Sequence, residues 1–117
     1  MATVESMAWA QNAARAARNN KGQDVVILDM RDVTLVADYF VVITGHNVIH
    51  VSSLADHIEE AMAQTQAKLL RRSGRARAHW ILLDYGDVVI HVFTEEQRAY
   101  YNLERLWGDA AVVPLEA

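Results

Sequence analysis

The stretch from residue 79 to residue 93, HWILLDYGDVVIHVF, constrains the fold more than any other part of the chain. It holds two short apolar runs, residues 80–83 and 88–93, which are rich in β-branched and aromatic residues and therefore typical of strands. The polar tetrad DYGD separates them, and Tyr85-Gly86 suits a two-residue turn because Gly86 can adopt positive φ. The stretch predicts an antiparallel hairpin with two carboxylates at its tip.

The second run of this hairpin is apolar on both of its faces. Alternate residues of a strand point to opposite sides of a sheet, and the two sets here are Val88, Ile90 and Val92 against Val89, His91 and Phe93. We therefore expect helices to cover one side of the sheet and a further contact to cover the other. We expect function to depend on that second contact.

The rest of the chain alternates helix and strand signals. Alanine-rich residues 4–20 predict a helix, and the apolar runs in 24–30 and 38–45 predict interior strands on either side of a loop at 31–34. Asn47 is a suitable N-cap for a second helix that would end near Arg72, and the acids after Thr94 favour a closing helix. The apolar stripe of the second helix comprises Val51, Leu54, Ala55, Ile58, Met62, Thr65 and Leu69. The closing helix would present Tyr100, Leu103, Leu106 and Trp107.

The order of these elements, α-β-β-α-β-β-α, predicts the fold class. We expect an α/β fold: one domain over residues 1–117, with a mixed β-sheet of about four or five strands flanked by helices. A chain of 117 residues has the usual size of a single domain. The tail from about residue 109, which carries the single proline, is expected to be weakly structured.

Composition excludes several classes of protein. The absence of cysteine excludes disulfides and thiolate chemistry, and it suits a cytoplasmic protein. No apolar run approaches the roughly 20 residues that span a bilayer, and the N-terminus does not resemble a secretory signal. A net charge of −4 disfavours a protein that binds nucleic acid over a wide surface. A basic protein is the more natural partner.

Two groups of residues suggest metal or acid–base chemistry, and a simpler interpretation is favoured for each. Asp84 and Asp87 could form a metal-binding or acid–base pair, but carboxylates at a hairpin tip usually serve the turn itself. His46, His50 and His57 have spacings that a helix could align, yet no glutamate stands between the first two as in a zinc protease motif. We interpret them as surface or capping histidines and expect neither a metal nor a cofactor.

One basic cluster interrupts the acidic chain. It comprises Lys68, Arg71, Arg72, Arg75 and Arg77. We favour a solvated helix end, because cations stabilise the C-terminal dipole. A phosphate or ribosomal RNA contact is the alternative, although no aromatic residues alternate with the cations as stacking on single strands would require.

Aromatic residues near the hairpin suggest an interface with another protein. An exposed aromatic side chain beside two carboxylates would form an anchor with an acidic rim, which suits a basic partner. The candidate partner-binding residues are Trp80, Asp84, Tyr85, Asp87 and His91. Tyr100 and Tyr101 lie about 100° apart on a helix, so they offer an alternative surface.

Four motifs together resemble the ribosomal silencing factor family, RsfS, also called Iojap. They are DYFVVITG at 38–45, ADH at 55–57, WILLDYGDVVIHVF at 80–93 and YNLERLW at 101–107. The resemblance implies a nucleotidyltransferase-like fold without catalysis. It also implies binding to large-subunit ribosomal protein L-fourteen, a steric block of subunit joining that represses translation, and a homodimer when the protein is free.

The chain departs from the family pattern at two places. Val48 and Ile49 occupy the neighbourhood of a usual arginine, and Ser73 stands before Gly74 where the family has a glutamate. The alternative function is a divalent-metal-dependent nucleotidyl- or phosphotransferase that uses Asp84 and Asp87. That enzyme would need a Gly-Ser motif followed by paired acids on one strand, and this pattern is missing.

Overall fold

The computed structural model describes residues 4–75, 77–101, 108 and 110–116. Helices and strands follow one another as α1 (Val4–Asn19), β1 (Gln23–Asp29), β2 (Tyr39–Gly45), α2 (Val48–Met62), β3 (Arg71–Ser73), β4 (Trp80–Asp84), β5 (Val88–Thr94), α3 (Glu95–Tyr101) and β6 (Ala111–Val113). None of the helices in the described ranges is long and apolar enough to cross a bilayer.

The strands form one mixed sheet with the order β3-β4-β5-β2-β1-β6. The central pair, β2 and β5, is parallel, and the other neighbours are antiparallel. The predicted mixed α/β fold is therefore confirmed. The sheet of the described residues has six strands instead of four or five, because a three-residue strand is added at each edge. Such short edge strands carry little hydrophobic pattern.

The second helix is shorter than its sequence pattern indicates. Its predicted N-cap is confirmed, since Asn47 Oδ1 accepts from the His50 N–H at 2.8 Å. The predicted end near Arg72 is wrong: α2 ends at Met62, whose carbonyl accepts from the Thr65 hydroxyl at 2.6 Å. By residue 70 the chain has already joined the sheet, because the Leu70 N–H donates to the Asp84 carbonyl at 2.7 Å. Thr65 therefore lies outside the helix.

Hydrophobic cores lie on both faces of the sheet. The helix-side core combines α1 and α2 with alternate residues of the strands, and the predicted stripe of α2 is buried in it: Val51, Leu54, Ala55, Ile58 and Met62. The second core lies on the other face and includes Leu28, Met30, Phe40, Val42, Val89 and Phe93. The prediction that both faces are apolar is thus confirmed.

The chain terminus is more ordered than its sequence indicates. We predicted weak structure from about residue 109, but β6 pairs with β1 through Ile27 opposite Val113. The Gln11 side chain of α1 binds the segment after β6, donating to the Pro114 carbonyl at 2.9 Å and accepting from the Glu116 N–H at 3.0 Å. A distant glutamine therefore fixes the tail.

The closing helix begins as predicted, with the Thr94 hydroxyl accepting from the Gln97 N–H at 3.4 Å. The predicted apolar positions Leu103, Leu106 and Trp107 lie outside the described residues. The side chains of Tyr100 and Tyr101 also lie outside them.

Candidate partner-binding site

The hairpin is confirmed, with a small correction at its tip. Strand β4 pairs antiparallel with β5, and the Tyr85 N–H donates to the Val88 carbonyl at 2.9 Å. The two residues at the turn are therefore Gly86 and Asp87, and the predicted Tyr85-Gly86 turn is wrong by one residue. Gly86 adopts a φ of 83°, a conformation that glycine accepts without strain.

Trp80 and His91 meet on the sheet face opposite α1 and α2. The Trp80 Nε1–H donates to His91 Nδ1 at 3.2 Å, and the two ring centroids lie 5.8 Å apart. Trp80 also packs against Phe93 at 4.8 Å, and His91 lies 4.8 Å from Phe40. Trp80 itself is only partly buried. The result is an aromatic cluster in which one indole still reaches the surface.

Burial controls the protonation of His91. The residue is 4% exposed, and loss of water around the ring lowers the pKa of His91 to about 4. Since Nδ1 accepts from Trp80, the neutral ring carries its proton on Nε2. Within the described part of the chain, this buried Nε2 has no hydrogen-bond partner. His91 is therefore a neutral positioning group for Trp80.

Tyr85 lies on the other side of the sheet from Trp80 and His91. Its ring is 7% exposed and belongs to the helix-side core. Burial and then the negative charge of Glu59 raise the pKa of Tyr85 to about 12, so the phenol is neutral at physiological pH. The structure thus brings together Trp80 and His91 but places Tyr85 beneath the hairpin.

The two carboxylates of the tip have different environments. Asp84 Oδ1 accepts from the Gly86 N–H at 2.8 Å, and Asp84 Oδ2 lies 3.9 Å from Arg71 Nη2. Asp87 is exposed, and its backbone carbonyl accepts from the N–H groups of Asp38 and Tyr39. Asp84 therefore stabilises the turn, as the simpler interpretation predicts. Across the described ranges, no group of three or more His, Cys, Asp or Glu residues is arranged to hold a metal ion.

His50 links the start of α2 to the end of α1. Its Nδ1 accepts from the His46 N–H at 2.9 Å, and its Nε2 lies 2.9 Å from the Asn20 carbonyl, to which it donates. The His46 and His50 rings stack with centroids 5.0 Å apart. His57 lies 3.9 Å from Glu60 on the surface. The interpretation of these histidines as capping and surface groups is confirmed for His50, because both of its ring nitrogens are engaged within the chain.

The basic cluster lies on the edge strand β3 and on the segments before and after it, so its interpretation as a helix end is wrong. Arg72 turns toward α2, where it forms ion pairs with Asp56 and Glu59. Lys68, Arg71, Arg75 and Arg77 are exposed. Of these four, Arg71 lies on β3, the edge strand that pairs with β4.

Several neighbours of Trp80 belong to the site but are not predicted from the sequence. Phe40, Leu82 and Phe93 share its face of the sheet, and they support it from three strands. Their alternation was visible in the apolar runs, but nothing in the runs indicated which face the helices would cover.

The fold is that of a small mixed α/β domain with an aromatic face on the side of the sheet that α1 and α2 do not cover. The family model described as "Ribosomal silencing factor during starvation" matches residues 3–117. The chain belongs to the RsfS family of ribosomal silencing factors.

Individual relatives agree with that assignment. The chain is 41% identical to the ribosomal silencing factor RsfS of Halalkalibacterium halodurans, and the match covers 91% of each protein. It is 29% identical to the chloroplastic Iojap protein of Zea mays, with 96% of this chain covered and 49% of that protein.

Solved structures show the same fold. A protein of Chromobacterium violaceum superposes with a TM-score of 0.85 at 30% identity, covering 90% of this chain and 88% of that one. A protein of Bacillus halodurans gives a TM-score of 0.81 at 35% identity, covering 93% and 99%.

Proposed function

We propose that this chain represses translation by binding the large ribosomal subunit with the sheet face that carries Trp80. The partner would be ribosomal protein L-fourteen, and the bound domain would prevent the small subunit from joining. The chain would act in the cytoplasm as a binding protein, with no catalysis and no cofactor. When free it would form a homodimer through the same face.

The main support for this proposal is a partly exposed tryptophan that is hydrogen-bonded and packed within an aromatic cluster, on the sheet face that α1 and α2 do not cover. Aromatic side chains in well-packed surroundings dominate binding energy at protein interfaces, because they bury a large area with little loss of side-chain freedom. His91 fixes the orientation of the indole through Nδ1.

The carboxylates give the proposed interface its electrostatic character. Asp87 is exposed at the hairpin tip, and Asp84 is partly exposed beside it. Ribosomal proteins are rich in lysine and arginine, and rim charges mainly accelerate association and set its salt dependence. Tyr85 would support this tip from the helix side.

The proposal is tested by binding of purified L-fourteen to variants of this chain. We expect Trp80→Ala to weaken binding by about 2 kcal/mol or more, because an interface anchor is lost. Trp80→Phe should retain much of the affinity, since a ring still fills the same space. Asp87→Lys should mainly slow association and reduce its salt dependence.

The matched control is Trp9→Ala on α1. Trp9 is also partly buried but packs on the helix-side core, so its loss should affect stability without affecting binding by the folded protein. A thermal melt for each variant separates the two effects. Equal loss of binding in Trp80→Ala and Trp9→Ala, or full binding by Trp80→Ala, would show that the partner uses another surface.

A further inference from the structure

The basic segment at residues 68–77, which the proposed interface does not use, has few ion pairs for the number of its cations. Residues 68–77 hold five of the 11 lysines and arginines of a chain whose net charge is −4. Arg72 is engaged by Asp56 and Glu59 and serves the fold. No carboxylate of the described residues forms an ion pair with Lys68, Arg75 or Arg77, and Arg71 has only a distant contact with Asp84. We call Lys68, Arg71, Arg75 and Arg77 the basic edge.

The basic edge is continuous with the face that carries Trp80. Arg71 lies opposite Asp84 in the sheet, and cross-strand partners share a face. Asp84 and Leu82 are two residues apart on β4, so they share that face with His91, the partner of Leu82. Arg71 therefore projects on the same side as Leu82 and His91. The loop after β3 begins at Gly74, which has a φ of 106°. A Cβ added there would lie 2.7 Å from the Trp80 carbonyl oxygen. The loop that bears Arg75 and Arg77 therefore packs directly on the backbone of Trp80.

Arg77 also reaches a concave surface at the start of α2. The Ala78 N–H donates to the Arg75 carbonyl at 3.0 Å and closes the turn that carries it. Arg77 lines a shallow pocket of about 560 Å³ with Ser52, Ser53 and His57, which offer hydroxyl and imidazole groups, and with the aliphatic side chains of Val48 and Ile49. Asp56 lines this pocket as well, but its carboxylate is bound by Arg72 at 2.9 Å. Donors of this kind suit phosphate oxygens.

We propose that the basic edge binds the phosphate backbone of large-subunit ribosomal RNA beside the protein that Trp80 contacts. This inference rests on the proposed function for its location on the ribosome. Four exposed cations on β3 and the segments that flank it, next to a pocket that also offers hydroxyl and imidazole groups, match a chain of phosphates. The acidic remainder of the molecule would be repelled by RNA, which orients the domain so that this edge faces it.

The test is a paired binding measurement on the double variant Arg75→Glu/Arg77→Glu over a range of salt concentrations. Affinity for the intact large subunit should fall about tenfold or more at moderate salt, and the slope of log K against log salt should fall by about 2. Affinity for isolated L-fourteen should stay within about twofold, because that contact uses the neighbouring face.

The matched control is Arg18→Glu/Lys21→Glu, which makes the same change of net charge at an exposed site at the end of α1. It should keep nearly all of the wild-type affinity for the subunit. Equal losses in the two double variants would overturn the proposal, since they would indicate a general charge effect. Loss of L-fourteen binding by Arg75→Glu/Arg77→Glu would also overturn it and would indicate an acidic protein segment as the occupant.

A second arm uses protein-free large-subunit RNA as the probe. The wild-type chain should bind it weakly with a steep salt dependence, and Arg75→Glu/Arg77→Glu should lose that binding. Failure of the wild type to bind isolated L-fourteen would contradict the proposed function alone, because the RNA arm measures the basic edge without that protein. Absence of salt-dependent RNA binding would overturn the basic edge alone.

Discussion

At the scale of single residues, the aromatic face depends on the hydrogen bond that the Trp80 Nε1–H donates to His91 Nδ1. The predicted hairpin puts the two residues on adjoining strands, and in the structure they also share one face of the sheet, with Phe93 opposite Trp80 and Leu82 opposite His91. The hydrogen bond between their rings depends on rotamers and on the packing of Phe93, which no pattern of residue types specifies. Tyr85 does not form the turn but extends β4, and because it alternates with Asp84 its ring lies in the core on the helix side.

The buried ring of His91 predicts a loss of stability in mild acid. Its pKa is about 4 in the folded protein and near 6.5 when exposed, so between these values the unfolded chain binds more protons. The stability that depends on neutral His91 is therefore fully present above about pH 6.5. It is lost as the pH drops toward 4, by at most about 1.4 kcal/mol per pH unit.

His91→Asn tests this link, because the amide can still accept from Trp80 but does not titrate. Denaturant unfolding at pH 7 and pH 5 should show a smaller loss of stability in His91→Asn than in the wild type. The exposed His57→Asn should keep the wild-type loss. Equal losses in all three proteins would contradict the assignment of this pH dependence to His91.

At the scale of elements, a strong periodic pattern in the sequence is sufficient to predict a helix and its buried face, whereas a weak pattern does not reveal a short strand. The stripe from Val51 to Met62 identifies the buried face of α2, and Asn47 identifies its start. The end of α2 was missed because no glycine or proline follows Met62, and Thr65 and Leu69 happen to extend the stripe. The edge strands β3 and β6 were missed because their pairing, with β4 and β1 respectively, is decided by tertiary contacts.

The attachment of β6 predicts a specific effect of Gln11. Gln11→Ala removes both hydrogen bonds to the tail, so β6 should open more often from β1. We expect hydrogen exchange at the amides of residues 111–113, 115 and 116 to accelerate, with a loss of global stability of about 1 kcal/mol.

Asn12→Ala is the control for this experiment, because Asn12 Nδ2 donates instead to the Ala61 carbonyl of α2 at 3.0 Å. It should destabilise the contact between α1 and α2 without changing exchange in the tail. Acceleration of tail exchange by Asn12→Ala, or unchanged exchange in Gln11→Ala, would show that Gln11 does not hold β6.

At the scale of the whole molecule, the sheet separates two roles. One face binds α1 and α2 and forms the main core, while the other carries a second core with a partly exposed tryptophan. Composition and charge predicted a protein-binding domain, but they could not identify the face, because both sides of β5 are apolar. The long motif at 80–93 indicated the family, and the comparisons confirmed it.

The second face also predicts self-association. The free chain has a mass of 13.1 kDa, and we expect light scattering at micromolar concentration to return about twice that value. Trp80→Ala should shift the population toward monomer if the dimer uses this face, and added L-fourteen should convert dimers into one-to-one complexes. A wild-type mass of one chain at every concentration would contradict the dimer.

We propose that this domain blocks subunit joining through Trp80, and the yield of joined ribosomes from purified subunits measures that block directly. With an excess of the wild-type chain, sucrose-gradient sedimentation should show a large decrease in the joined fraction. Trp80→Ala should restore joining, whereas folded Trp9→Ala should inhibit it as the wild type does. Full joining in the presence of the wild-type chain bound to the large subunit would show that this domain does not block the small subunit.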